Sequence, residues 1–130
     1  KKPKKEKPEK HTILLIIKID DQILMEKRPS SGIWGGLYCF PEVDLESDIE
    51  AKLAQLNLKA LNQTLLSEFR HTFSHFHLNI KPVLLNCEHV QFQVNEPSQS
   101  YWYDLHKPSS VGLATPTKKI LKEIKQLSVC

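Results

Sequence analysis

The chain has 130 residues, of which 40% are hydrophobic and 25% charged, proportions that are typical of one globular domain with its own core. No stretch approaches the roughly 18 apolar residues of a membrane span, which argues against a membrane protein. The three cysteines, Cys39, Cys87 and Cys130, are odd in number and far apart. This usage argues against a disulfide framework or a thiolate metal site, and it favours a reducing cytoplasm.

The net charge of +3 is concentrated at the start of the chain. Residues 1–10 (KKPKKEKPEK) contain six lysines and two glutamates, a net of +4, whereas the other 120 residues hold 12 basic and 13 acidic side chains, a net of −1. Because residues 1–10 have no apolar side chain, they are predicted to form an extended linker before a folded domain at residues 11–130. The chain lacks an initiator Met, so we expect a fragment that another segment precedes. A body near neutrality cannot hold nucleic acid strongly by counterion release alone.

The folded part opens with two predicted strands. HTILLIIKI, from His11, is continuously apolar and β-branched, which is typical of a strand buried on both faces. A turn at DDQ leads to QILMEKR, predicted as a second strand, and PSSGIWGG is a predicted loop before LYCFPE. SDIEAKLAQLN is a predicted helix with a capping box of Ser47 and Glu50. Its apolar face repeats at helical spacing and consists of Ile49, Leu53 and Leu56.

The second half of the chain alternates strands and loops. Residues 64–72 and 76–87 are predicted strands, with a turn near residues 73–75 between them. Residues 88–100 lack periodicity and are predicted to form a surface loop, after which YWYDL is a short strand.

A second helix is predicted near the end of the chain, capped by Thr115 and with Pro116 in its first turn. Its apolar stripe is predicted from Ile120, Leu121, Ile124 and Leu127. Its water-facing side is predicted from Lys118, Lys119, Lys122 and Lys125. Strands with one helix in mid-chain and one at the end predict an α/β fold, an α/β/α sandwich on a mixed sheet with two main helices.

The segment GGLYCFPE followed by a helix resembles a degenerate signature of the Nudix hydrolases. That signature runs Gly, five residues, Glu, seven residues, then Arg-Glu-apolar-any-Glu-Glu-any-Gly-apolar, and its helix carboxylates hold a divalent cation beside a diphosphate. Aligned from Gly36, the first glutamate is retained as Glu42. The other positions hold different residue types: Glu50 at the Arg, Ala51, Ala54 and Gln55 at the carboxylates, and Asn57 at the Gly. Diphosphate hydrolysis is therefore not expected; alternatively, the segment is only a loop and a strand edge.

Three motifs in order, RPSSGIWGGLYCFPE, FRHTFSHFHLNI and WYDLHKPSSVGLATP, resemble the C-terminal domains of MutY-type adenine DNA glycosylases over residues 11–127. The resemblance implies a Nudix-like domain, related to the MutT hydrolase but without hydrolase activity. Such a domain helps to find 8-oxoguanine mispaired with adenine in double-stranded DNA. The resemblance also implies a separate N-terminal catalytic domain with a 4Fe-4S iron–sulfur cluster, so that residues 1–10 are the end of a connector. We expect a monomer without a cofactor of its own.

In this family a Phe-Ser-His loop contacts the strand that carries the oxidised guanine, and the resemblance places that loop at Phe73, Ser74 and His75. 8-Oxoguanine carries a carbonyl at C8 and a proton on N7, so a group that recognises it must accept a hydrogen bond where guanine accepts one. A hydroxyl can accept, whereas Lys or Arg can only donate. A neutral His75 could accept from the exocyclic amine of a syn lesion. Phe73 either packs on a base or ribose, or supports the loop from below.

The neighbouring histidines are expected to have structural roles. His71 and His77 are predicted to pair across the hairpin. A metal site of His71, His75 and His77 has little support, because no Cys or carboxylate is adjacent. A nucleophilic pair of Ser74 and His75 is expected to fail, because neighbours on a strand point to opposite faces.

Other features leave alternatives open. Arg70 meets a phosphate or pairs with Glu68, and Trp34 and Trp102 are predicted core anchors.

An active Nudix enzyme for oxidised nucleoside triphosphates is the main rival function, although it would require acidic side chains where the chain has Ala51, Ala54 and Gln55. An interaction domain that docks another repair protein is a third possibility.

Overall fold

The structure, a computed structural model, describes residues 7–90, 100–107 and 111–128, apart from the side chains of residues 127 and 128. The strands are β1 (Glu9–Ile19), β2 (Gln22–Lys27), β3 (Tyr38–Cys39), β4 (Glu42–Val43), β5 (Leu58–Leu65), β6 (Phe69–Thr72), β7 (His77–His89) and β8 (Ser100–Asp104). The helices are α1 (Ile49–Gln55), which a 3-10 turn at Glu46–Asp48 precedes, and α2 (Thr115–Ser128). None of the helices in the described ranges is long and apolar enough to cross a membrane.

All eight strands form one mixed sheet with the order β3-β2-β1-β7-β5, in which β4 pairs with β1, β6 with β7 and β8 with β2. The central pair, β1 with β7, is parallel, and the other pairs are antiparallel. The predicted mixed sheet with two main helices is therefore confirmed.

The apolar run of β1 divides the interior into two cores, because alternate residues of a strand face opposite sides of the sheet. Leu14 and Ile16 pack with α2 on one side, and Leu15 and Ile17 pack with α1 on the other. All four side chains are almost fully buried. β1 is thus buried on both faces, as its continuous hydrophobicity predicts.

Helix α1 has the predicted buried face but a different start. Ile49 and Leu53 are buried on the helix, and Leu56, the residue that follows it, is buried on the same core. The predicted capping box of Ser47 with Glu50 is wrong, because Ser47 lies within the 3-10 turn and Asp48 is the N-cap residue. After the helix, Asn57 has a φ of 57°, the left-handed conformation in which many helices end.

Helix α2 agrees with its predicted pattern. Ile120, Leu121 and Ile124 are buried, and Leu127 lies outside the described side chains. The four lysines predicted on its water-facing side are exposed. The VGLATP segment joins the helix to the sheet, since Ala114 N–H donates to the Tyr38 carbonyl at 2.9 Å and Tyr38 N–H donates to the Gly112 carbonyl at 2.8 Å.

Two strand boundaries differ from prediction. The predicted strand at residues 64–72 is interrupted at residues 66–68, and strand β5 occupies residues 58–65, most of which were not predicted. Strand β1 begins at Glu9, inside the range assigned to the linker. Of the predicted surface loop, residues 91–99 lie outside the described part of the chain.

Candidate nucleic-acid interface

Residues 73–76 form the loop between β6 and β7, here called the 73–76 loop. Phe73 N–H donates to the Phe76 carbonyl at 2.8 Å, which closes a tight turn. Ser74 and His75 lie at its tip and are both exposed. The antiparallel pairing of β6 with β7 anchors both ends of the loop, which is the usual arrangement of binding residues on loops of a rigid scaffold.

An aromatic cluster of Trp34, His71, Phe73 and Phe76 supports this loop. The Phe73 and Phe76 rings stack with centroids 4.7 Å apart. Trp34 lies 5.3 Å from Phe73, and His71 lies 4.7 Å from Phe73 and 5.5 Å from Trp34. The phenylalanines and Trp34 also pack against the core on the α2 side. Phe73 therefore occupies the supporting position, below the exposed tip.

Both tryptophans pack against a core, as predicted, with Trp102 against the core on the α1 side. Trp34 differs from Trp102 because it also contacts the loop through Phe73. Sequence reasoning missed this second role, which brings the PSSGIWGG loop against the 73–76 loop.

Ser74 and His75 are hydrogen-bonded to each other, with Ser74 Oγ 2.9 Å from His75 Nδ1. The expectation that these neighbours face opposite ways is wrong, because they lie in a turn and not in a strand. Within the described ranges His75 has no further hydrogen-bond partner. A nucleophilic serine needs a base that a third group orients, so this pair lacks the arrangement of a catalytic site.

The histidines on the two strands do not pair with each other. His71 stands opposite Leu78, and Thr72 stands opposite His77, so the predicted pairing of His71 with His77 is wrong by one residue. The Thr72 hydroxyl lies 2.9 Å from His77 Nδ1. Among the residues that the structure describes, no group of three His, Cys, Asp or Glu side chains could hold a metal ion.

The N-terminal segment lies directly beside the 73–76 loop. His77 N–H donates to the Pro8 carbonyl at 2.9 Å, and Lys7 Nζ donates to the Phe73 carbonyl at 3.3 Å. Residues 7–10 therefore contact the folded body, which their composition did not indicate.

Arg70 has partners other than those predicted, because it is bound to Glu9 and Asn79. Arg70 Nη2 donates to Glu9 Oε1 at 2.5 Å, and Arg70 Nε donates to Asn79 Oδ1 at 3.1 Å. Asn79 Nδ2 also donates to Glu9 Oε1 at 3.2 Å. The Asn79 hydrogen bond and the nearby Arg70 charge lower the pKa of Glu9 below its ordinary value. Lys10 completes this surface, with its Nζ 4.5 Å from the centre of the Phe76 ring.

Sequence reasoning missed Glu9, Lys10 and Asn79. One signal was available for Asn79, a polar residue between the apolar Leu78 and Ile80 of a predicted strand. No comparable signal marked Glu9 and Lys10, which belong to a run of lysines, glutamates and prolines.

The face that corresponds to a Nudix metal site contains little to bind a cation. The retained Glu42 accepts a hydrogen bond from the Thr12 hydroxyl at 2.8 Å and is ion-paired with Arg28. The three substituted carboxylate positions are all exposed on α1: Ala51, Ala54 and Gln55. The Arg28 guanidinium thus neutralises Glu42, the one signature carboxylate that the sequence retains.

Comparison with known proteins gives consistent matches along the chain. The profile of the NUDIX domain family matches residues 12–123. An adenine DNA glycosylase of Buchnera aphidicola subsp. Baizongia pistaciae is 34% identical over 114 residues, which are 88% of this chain and 32% of that protein. The chain spans about a third of the length of the curated relatives it matches.

Solved structures show the same fold. The C-terminal domain of mouse MUTYH, from its complex with human PCNA, has a TM-score of 0.72 and 19% identity, over 91% of this chain and 88% of that one. The MutT NUDIX hydrolase of Burkholderia pseudomallei has a TM-score of 0.63 and 20% identity, over 88% and 96%. At these identities the likeness concerns the fold alone, and it confirms the predicted Nudix-like α/β/α architecture.

Proposed function

The chain belongs to the NUDIX domain family, and from this premise we propose that it is the C-terminal lesion-recognition domain of an adenine DNA glycosylase. It recognises 8-oxoguanine opposite adenine in double-stranded DNA, so that the mispaired adenine can be excised. Support comes from the sequence relatives, which are adenine DNA glycosylases, and from an exposed loop with hydrogen-bonding side chains at the position of the family's Phe-Ser-His motif.

In this proposal the excision chemistry belongs to an N-terminal domain with a 4Fe-4S cluster, and this chain supplies no catalytic residue. The relatives are about three times as long as the matched region, which leaves room for such a domain. The protein acts as a monomer in the cytoplasm. Cys39 and Cys87 fit a reducing compartment, because both are free and buried. Burial raises the pKa of the Cys39 thiol, and it raises that of Cys87 to about 11.

The observation that carries the proposal is the exposed Ser74–His75 hydrogen bond. When the hydroxyl donates to His75 Nδ1, its lone pairs stay available to accept the N7–H of 8-oxoguanine. Guanine has an N7 lone pair at that place, and the hydroxyl could donate to it only by giving up its bond to His75. In this arrangement the loop favours the oxidised base.

The same hydrogen bond determines what His75 can do. With Nδ1 accepting, the neutral imidazole carries its proton on Nε2. In this arrangement His75 donates from Nε2 to a carbonyl of the lesion or to a phosphate, and the acceptor role toward the exocyclic amine requires the other tautomer. Discrimination against guanine is stronger in the first arrangement, since the hydroxyl hydrogen is then occupied.

The test is a ratio of two affinities in the full-length protein that contains this chain. Ser74→Ala and His75→Ala should reduce the preference for 8-oxoguanine:adenine over guanine:adenine duplexes by roughly 5- to 150-fold, the range of one good base contact at about 1–3 kcal/mol. Ser67→Ala is the matched control, because Ser67 is also exposed but lies before β6, away from the loop. If neither loop variant changes the ratio, the loop does not recognise the lesion.

A further inference from the structure

Residues 7–10 and the 73–76 loop form one continuous surface, and we propose that Lys7 and Lys10 bind phosphates of the DNA strand that the loop recognises. Glu9, Arg70 and Asn79 form a network that positions these two lysines. The inference rests on the proposed function, to which it adds the residues that contact the DNA backbone.

The two ammonium groups contact the first and the last residue of the 73–76 loop. Lys7 Nζ is bound to the Phe73 carbonyl, and Lys10 Nζ lies over the Phe76 ring, so the lysines contact the two residues that bracket Ser74 and His75 in the chain. An ammonium group has three N–H donors. Lys7 uses one for the carbonyl, and the ring contact of Lys10 leaves its outer side open to solvent. Both retain donors for a phosphate oxygen.

A DNA strand offers phosphates on both sides of every nucleotide. Each strand carries one phosphate about every 3.4 Å along the helix axis. A nucleotide whose base contacts Ser74 therefore has phosphates on both sides of it. Because the body without residues 1–10 has a net charge of −1, local cations beside the loop have to supply the attraction that the body lacks.

Glu9, which lies between Lys7 and Lys10 in the chain, fixes the position of this segment on the folded body. Residues 1–10 have no apolar side chain to bury, so burial alone cannot dock them. Instead Glu9 pairs in parallel with His77, and its carboxylate accepts from Arg70 and Asn79. Arg70 is consequently a positioning residue, because its guanidinium faces Glu9 and Asn79.

The first experiment measures the salt dependence of DNA binding in the full-length protein. The double variant Lys7→Gln/Lys10→Gln should lower the slope of log affinity against log salt by about 2, since each phosphate contact contributes roughly 0.9. Affinity should fall by the same factor for lesion and normal duplexes, which leaves their ratio unchanged. Lys59→Gln is the control, because Lys59 pairs with Glu88 at the opposite end of β7. If the slope of the double variant changes no more than that of the control, Lys7 and Lys10 do not contact phosphates.

This readout is independent of the lesion ratio that tests the proposed function. A slope that falls while Ser74→Ala leaves the ratio untouched would support the phosphate site and reject lesion recognition by the loop. The opposite pair of results would keep the recognition loop and reject the phosphate site.

The second experiment tests the positioning network by asking whether Glu9→Gln strengthens or weakens DNA binding. Glu9→Gln removes a negative charge, so simple repulsion from DNA predicts tighter binding. If Glu9 positions the lysines, both duplexes should instead bind more weakly, and the His77 amide hydrogen, which is bonded to Pro8, should exchange faster. Glu88→Gln, an exposed acid at the far end of β7, is the control and should leave that amide unchanged. Tighter or unchanged binding of Glu9→Gln would contradict the network.

Discussion

Supporting and contacting roles fall on neighbouring residues of the 73–76 loop. Phe73 is half-buried and lies within 5.3 Å of Trp34 and 4.7 Å of Phe76, measured between ring centres. Ser74 and His75 are exposed and contact each other. Substitution of Ser74 or His75 should therefore leave the ring contacts of Phe73 intact. Substitution of Phe73 should instead displace both side chains at the tip.

This separation predicts different costs of substitution. Phe73→Ala should lower the free energy of unfolding by about 2 kcal/mol, below the range for a fully buried Phe because part of its ring is exposed. Ser74→Ala and His75→Ala should each change it by no more than about 0.5 kcal/mol. Denaturant unfolding of the 130-residue chain measures all three. A Ser74→Ala variant as unstable as Phe73→Ala would assign the loop tip a structural role.

At the residue scale, prediction was possible only where the pattern was local. The Phe-Ser-His segment was located by its resemblance to the family's loop, and its role in recognition stays a prediction, although Ser74 and His75 do lie on an exposed tip. The Glu9–Arg70 pair joins residues 61 apart in the chain. It depends on the register of the parallel β1–β7 ladder, which no local pattern specifies. The Ser74–His75 bond was also missed, because it required the turn conformation in place of the strand.

At the scale of elements, α1 retains the geometry of a Nudix helix without its carboxylates. Gly36 has a φ of 76°, and Asn57 adopts the left-handed conformation at the position of the second signature glycine. Asn is one of the few side chains that adopts this conformation readily. Both signature glycine positions thus have a positive φ, whereas Ala51, Ala54 and Gln55 lack the charge that a divalent cation requires.

We accordingly expect no nucleotide hydrolysis by this chain. Incubation with Mg²⁺ and 8-oxo-dGTP should yield no nucleoside monophosphate above the uncatalysed background, because Glu42 is already paired with Arg28 and the signature's carboxylate positions on α1 hold Ala51, Ala54 and Gln55. An active MutT-type hydrolase serves as the positive control. Metal-dependent turnover that Glu42→Gln abolishes would restore the rival function of an active Nudix enzyme.

Elements with strong patterns were predictable, whereas the edge strand β5 was not. β1 and α2 have unbroken apolar patterns, and both were predicted. β5 is an edge strand with Leu61 and Leu65 more than half exposed, so its sequence shows no alternation between a buried and an exposed face. The start of α1 was mispredicted because Ser47 lies inside a 3-10 turn that precedes the helix. The capping pattern in the sequence does not show which of the two local structures forms.

At the scale of the whole molecule, the parallel pairing of β1 with β7 connects the start of the chain to the candidate interface. The aromatic cluster and the 73–76 loop lie on the α2 side of the sheet, and the altered Nudix helix lies on the other. The sequence predicted both helices and the mixed sheet. It could not assign the loop to one face, because that assignment depends on strand order and on which residues of β7 face α2.

Two truncations test whether the N-terminal segment belongs to the fold. Deletion of residues 1–6, which contain no apolar side chain, should leave the thermal midpoint unchanged. Deletion of residues 1–10 should lower it by about 5 °C, because it removes the first pairs of the β1–β7 ladder, the Glu9 ion pair and the Lys10 contact with Phe76. Calorimetry of both variants at matched salt measures the difference. Equal midpoints would mean that residues 7–10 do not pack on the folded body and belong to the linker that composition predicts. Lys7 and Lys10 would then have no fixed position beside the loop.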